Sequence, residues 1–179
     1  MIKYSLPFPH IASDQALPND KISRLENISN HEIKKWEREE GKNYRFSRLE
    51  QNLNLQSDNS VEAGALTKWK ADAESFFQIR LAPAVSSTIF RFCSGDCIGL
   101  HDDSDAEAVR LIVAVSGERS LGDGGSILLM ADSLENSKLI LPSRNLGVCF
   151  HARAGHGHAV TTIRHSPLFL FIVEFPCVS

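Results

Sequence analysis

The sequence predicts an α+β fold that is mainly β, a sandwich or double-sheet jelly roll preceded by helices. Two observations predict it. The first third reads at helical spacing, whereas everything after Pro83 breaks into short β-rich runs separated by turn residues. Helices first and strands second also argue against a doubly wound parallel sheet.

The helical part has two stretches. From Asp20 to about Glu40, Ile22, Leu25, Ile28, Ile33 and Trp36 recur at near-helical spacing. A polar loop with Asn52, Asn54, Asp58 and Asn59 follows. A second helix is expected from about Val61 to Arg80, with Leu66, Trp69, Ala73, Phe76, Phe77 and Arg80 on one face. Pro83 is expected to end it. Seven runs then read as strands: Thr88–Cys93, Val109–Val115, Ser126–Met130, Lys138–Leu141, Leu146–Phe150, Ala159–Ile163 and Leu168–Phe175. Gly99, Gly117, the Gly122–Gly125 stretch, Pro142 and the Gly155–Gly157 stretch punctuate them. Even spacing of short strands is the mark of a sandwich or jelly roll. Phe169, Phe171 and Phe175 alternate along the last run and read as core, as do Trp36 and Trp69 on their helix faces.

At 179 residues the chain fits one domain, with residues 1–83 as helical support and 84–179 as the β core. A hydrophobic share of 42% and a charged share of 23% are ordinary for a globular protein. A formal net charge of -3 argues against nucleic acid or an anionic membrane as the main partner. The start, MIKYSLPFPH, lacks a secretion signal, so cytoplasmic residence and reduced thiols are expected for Cys93, Cys97, Cys149 and Cys177. Cys93 and Cys97 have no second cysteine pair, which disfavours a structural zinc site.

His101 and Asp103 in GLHDDSD are the strongest chemical signal. Residues two apart on an extended segment face one side, so both can reach one metal while Asp102 points away. A second histidine-rich stretch, FHARAGHGHAVTTI, offers His151, His156 and His158. Two histidines and a carboxylate on one face of an octahedron leave three positions open, the arrangement of non-haem iron(II) oxygenases. Alone, a histidine beside acidic residues is more often a surface loop.

The wider pattern resembles the prolyl-hydroxylase-like branch of the 2-oxoglutarate/iron(II) dioxygenases over nearly the whole chain. SLPFPHIASDQALP is similar to the family's first strand and turn into a helix. RFCSGDCIGLHDD resembles its strand, glycine turn and H-x-D. Arg110 in VRLIVAVS, the double glycine of GDGGSILLM, Asn145, LGVCF and HAVTTI follow in the family's order. The resemblance implies a double-stranded β-helix with the N-terminal helices packed on one sheet. It implies iron(II) on His101, Asp103 and His158, with His156 the competitor for the third place. His151 and His165 are left as supporting or buried polar groups, and His10 and His31 have no metal role. Dioxygen and 2-oxoglutarate would be consumed, giving succinate, carbon dioxide and an oxidised C–H bond. Related halogenases carry a small residue in place of the carboxylate, so Asp103 implies hydroxylation or another oxidation.

Two departures stand out. The family anchors the far carboxylate of 2-oxoglutarate with a cation nine or ten residues after the distal histidine, where this chain has Pro167 and Leu168. Arg164 is the expected substitute, because a guanidinium grips a carboxylate bidentately; Arg91 and Arg110 are reserves. Phe92 stands where the family often has a tyrosine that binds the co-substrate, so Thr88, Ser126 or a water would have to compensate. The expected substrate is a small molecule such as an amino acid or biosynthetic intermediate. A protein side chain, a non-catalytic metal-binding or sensor module, and a cupin-like metal enzyme without 2-oxoglutarate are the alternatives.

Overall fold

A computed structural model describes residues 1–31, 36–50, 61–83, 86–103 and 107–178. Strands β1 (Ile2–Tyr4) and β2 (His10–Ser13) precede helix α1 (Asn19–His31). Pro18 opens that helix, its carbonyl accepting the Lys21 and Ile22 amides. Strands β3 (Glu37–Glu40) and β4 (Tyr44–Glu50) form a hairpin, followed by α2 (Val61–Phe77). Eight strands complete the chain: β5 (Ser86–Phe92), β6 (Cys97–His101), β7 (Ala108–Ala114), β8 (Ile127–Met130), β9 (Ser137–Ile140), β10 (Gly147–Ala152), β11 (Gly157–Val160) and β12 (Leu168–Pro176).

The seven expected strand runs are all present, within one or two residues at most ends. The first third departs from expectation, because it contributes four strands as well as two helices. Glu37–Glu40, read as the end of the first helix, is instead a strand. Its residues are good helix formers, but tertiary pairing overrides that weak preference. Glu37 pairs with Arg48 and Glu40 with Arg45. Arg38 also grips the buried Asp96 bidentately, at 2.7 and 2.8 Å. The second helix stops at Phe77, not at Arg80, because Gln78 takes the left-handed conformation (φ 58°) that closes a helix end. The polar loop at Asn52, Asn54, Asp58 and Asn59 lies outside the described residues.

The strands form a curled antiparallel sheet in the order β1-β2-β10-β7-β12-β5-β4-β6-β11-β8-β9, with β3 added on β4. Strand β4 pairs with both β5 and β6, so it joins the two halves of the roll. Side chains alternate across β7 and β12. Leu111, Val113, Phe171, Val173 and Phe175 turn to one face and meet Ile22 and Leu25 of α1 and Leu66, Trp69 and Ala73 of α2. Ile112, Ala114, Leu168 and Leu170 turn to the other face and meet Ile127, Leu129 and Val160 from the second half. Trp69 is fully buried and donates its indole N–H to Ala16 O at 2.9 Å. Asn145 fixes the neighbouring segment, exchanging two side-chain hydrogen bonds with the Leu17 backbone.

Gly124 is one place where only glycine fits. Its φ is 70°, and a Cβ there would lie 1.9 Å from Thr162 O. This tight approach brings the turn before β8 against the connection between β11 and β12. No helix among the described residues is long and apolar enough to cross a membrane.

Candidate metal centre

Pairing of β6 with β11 builds the site. His101 ends β6 and sits directly opposite His158 near the start of β11. Cross-strand partners on one face bring their side chains together. Their ring centroids are 4.2 Å apart. Asp103 follows two residues after His101 and completes a triangle whose ligand atoms all lie within 4.8 Å of one another. Asp103 Oδ2 is 3.3 Å from His158 Nε2, and Oδ1 is 3.9 Å from His101 Nε2.

Each imidazole is oriented through its other nitrogen. His101 Nδ1 donates to Gly99 O at 2.9 Å, and His158 Nδ1 to His156 O at 3.4 Å. Both Nε2 atoms are thereby left as lone-pair donors aimed at the triangle, the arrangement a metal requires. Burial, together with the nearby His101, pushes the His158 imidazole down to about 4, which favours the neutral, ligating form. Asp103 Oδ2 is shut off from solvent and receives no well-angled hydrogen bond, although Arg110 NH1 lies 2.5 Å away. A buried carboxylate oxygen in that state is suited to a cation. The donor set and its chemistry fit iron(II).

The triangle opens on a cavity of about 800 Å³. Arg110 lies in its wall and pairs with Glu174, directly opposite it on β12, at 2.8–2.9 Å. Phe92 and Thr88 also line the cavity; Ser126 does not, and its amide is taken by Thr161 Oγ1.

The structure therefore brings His101, Asp103, His158 and Arg110 together. It sends the other candidates elsewhere. His156 precedes β11 in a turn, stacks on Phe8 with centroids 4.3 Å apart, and donates from Nδ1 to His151 O. His151 approaches Cys177 Sγ, and His165 is exposed. Arg91 faces the opposite side of β5 and lies over the Trp36 ring at 5.0 Å.

Arg164 requires a correction. It is exposed and does not line the cavity. Its connection is pinned in place: Ile163 is buried, its amide donating to Asp96 O, so the next side chain turns outward. Arg119, a residue the sequence did not single out, holds the same region through Gly124 O, Ser166 O and Pro167 O. Leu168 is fully buried in the apolar interior, so the two family positions do not supply a cation either. Glu174 was also missed. Its signal was a lone acid in the apolar run LFLFIVEF, on the same face as Leu168 and Leu170.

No protein-family model and no curated relative matches the sequence. Solved structures match over nearly the full length. A viral collagen prolyl hydroxylase from Paramecium bursaria Chlorella virus-1, solved with 2-oxoglutarate, is 15% identical, with a TM-score of 0.71 over 94% of this chain and 96% of that one. A Pseudomonas putida prolyl-4-hydroxylase is 11% identical, with a TM-score of 0.75 over 95% and 93%. A non-haem 2-oxoglutarate-dependent carbocyclase from nogalamycin biosynthesis is 12% identical, with a TM-score of 0.66 over 93% and 79%. The chain has the jelly-roll fold of the prolyl-hydroxylase-like 2-oxoglutarate/iron(II) oxygenases.

Proposed function

We propose that this protein is a 2-oxoglutarate-dependent iron(II) oxygenase, acting as a single domain in the cytoplasm, that oxidises an unactivated C–H bond of a small molecule. The observation that carries the reading is the triangle of His101, Asp103 and His158 opening on the cavity of this fold. These three residues would hold the iron. When bound, iron with dioxygen and 2-oxoglutarate supplies the oxidising power; the protein supplies position and shielding. A cavity of about 800 Å³ is in the range that encloses a small ligand, which favours a small molecule over a protein side chain. Four free thiols suit a reducing compartment.

The far carboxylate of 2-oxoglutarate is assigned to Arg110. It stands beside the metal ligands, and Glu174 steadies it from the next strand. Its NH1 donates toward Asp103 and His158, a role that a cation in the triangle would take over and so release the guanidinium. The reading predicts that Arg110→Met weakens 2-oxoglutarate binding by about 2–5 kcal/mol, as for a severed buried charge pair. Arg164→Met should leave it unchanged.

The test begins with anaerobic iron(II) titration of the wild type and Asp103→Ala. 2-Oxoglutarate and then oxygen follow, with succinate measured. One iron per chain, lost in the variant, and succinate above the protein-free rate are expected. Iron binding without succinate, with or without candidate substrates, would favour the non-catalytic metal module.

A further inference from the structure

We propose that the inner half of the cavity is a binding site for an uncharged apolar group, the chain or ring of the substrate, and that acids bound at the metal keep their charged ends at Arg110. The second half of this statement rests on the function proposed above; the first does not.

Strand registers sort the cavity wall into two ends. At the rim, Glu174 of β12 lies opposite Arg110 of β7 and Ser86 of β5, and His158 lies opposite His101. Moving inward along the same strands, Ile172 lies opposite Ile112, Leu170 opposite Phe90, and Val160 opposite both Ile98 and Ile127. Every charge on β7 and β12 that faces the cavity is at the rim. The inner end carries Phe92, Ile98, Ile112, Ile127, Val160 and Leu170. None of these side chains has a hydrogen-bonding atom.

That composition decides which chemistry can enter. A carboxylate pushed inward would lose its water and meet no donor, which strongly disfavours it. An apolar chain loses only unfavourable hydration and gains close packing. Arg91, the cation of β5, points out of the cavity onto Trp36 and offers no relief. Leu168, at the family's anchoring position, is fully buried among these same apolar groups. The inner end is thus built to accept what a dicarboxylic acid cannot place there.

Two probes test this on the full chain. The first is 3-methylbutan-1-ol, apolar and unable to chelate, followed by saturation-transfer NMR with zinc(II) as a diamagnetic stand-in for iron. The second is 2-oxoglutarate, followed anaerobically by the absorbance of its iron(II) chelate. Leu170→Phe fills the inner end; Ile127→Phe does so from the opposite wall, should the first fail to fold. Leu170→Met controls for mere substitution. The filled variant is expected to weaken alcohol binding by about tenfold or more, a loss of about 1.4 kcal/mol. Leu170→Met and Arg110→Met should bind the alcohol as the wild type does. Arg110→Met should weaken 2-oxoglutarate, and the filled variant should not. No alcohol binding to the wild type overturns the apolar site. Equal weakening of 2-oxoglutarate in the filled variant places the acid inward and also overturns it. If 2-oxoglutarate binds none of the proteins while alcohol binding still depends on Leu170, the apolar site stands and the oxygenase reading fails.

Discussion

The two faces of the β7–β12 pair differ sharply, although they belong to the same strands. On the outer face, Leu111, Val113, Phe171 and Val173 are sealed beneath the helices, with Trp69 fully buried at the centre. On the inner face, Ile112 and Leu170 border a cavity, and Arg110 and Glu174 stand at its mouth. A strand that alternates every residue can devote one face to stability and the other to a site. The outer face tolerates no void, whereas the inner face is useful because it keeps one.

Substitutions on the two faces should therefore separate stability from binding. The largest effect is expected from Asp103→Ala on the inner side. It should lower iron(II) affinity by more than about 100-fold, beyond what losing an outer partner of a ligand costs. Its unfolding free energy should change by less than about 1 kcal/mol. Paired metal titration and denaturant unfolding check both numbers. The reverse pattern is expected on the outer face. Trp69→Ala should cost about 3–5 kcal/mol of stability, the cost of deleting a large buried aromatic. Iron affinity of its folded fraction should be retained. If Trp69→Ala lost iron binding while fully folded, the two faces would not be independent.

A third substitution tests the edge where the halves meet. Burial alone would raise the Asp96 carboxyl, but the ion pair with Arg38 and the Cys93 N–H outweigh it and hold its pKa below the usual value. A carboxyl depressed in the folded state contributes stability above its unfolded pKa and loses it as pH falls through the folded one. Asp96→Asn should thus cost about 1–3 kcal/mol at neutral pH. The gap to wild type should narrow below about pH 4, where the unfolded carboxyl titrates. Urea midpoints across pH measure this; a gap that widens in acid would contradict it. The smallest effect is expected from Ile112→Val. Next to a cavity it should fall at the low end of about 0.5–1.5 kcal/mol, measured by the same unfolding curves.

The outer face was the more legible in the sequence. Alternating apolar residues and glycine or proline punctuation announced seven strands, because those strands are buried on at least one side. Strand β4 carried no such pattern. Its Phe46, Arg48 and Glu50 face a cavity rather than a core, so polar and apolar groups share one face. Strand β3 is rich in Glu and Arg, whose helical preference misled in the absence of its partner strand. At the site, the H-x-D was visible as local geometry. The choice of His158 over His156 depends on where the turn at Gly155 ends and β11 begins, which no spacing rule fixes. Arg164 failed for a similar reason. Its direction is set by Ile163 being pinned to Asp96, a contact 67 positions apart in sequence by the residue numbers (163 − 96).

One consequence follows from how the roll is closed. All three candidate ligands belong to the half formed by β6, β11, β8 and β9 or to the segment leaving β6. Arg110 and Glu174 belong to the other half. Along β4 the join to β6 consists of Tyr44 opposite Ile98 and Arg45 opposite Cys97, with one further amide bond from Gly99 to Asn43 O. Strands β7 and β12, by contrast, are zipped over seven consecutive pairs. Short, edge-exposed pairing is where local opening costs least, so amide exchange should be quickest along this seam and slowest at the centre of β7. Breathing there would vary the distance between the iron and the arginine opposite without disturbing a single ligand, making the reach of the bound acid an elastic property of the roll.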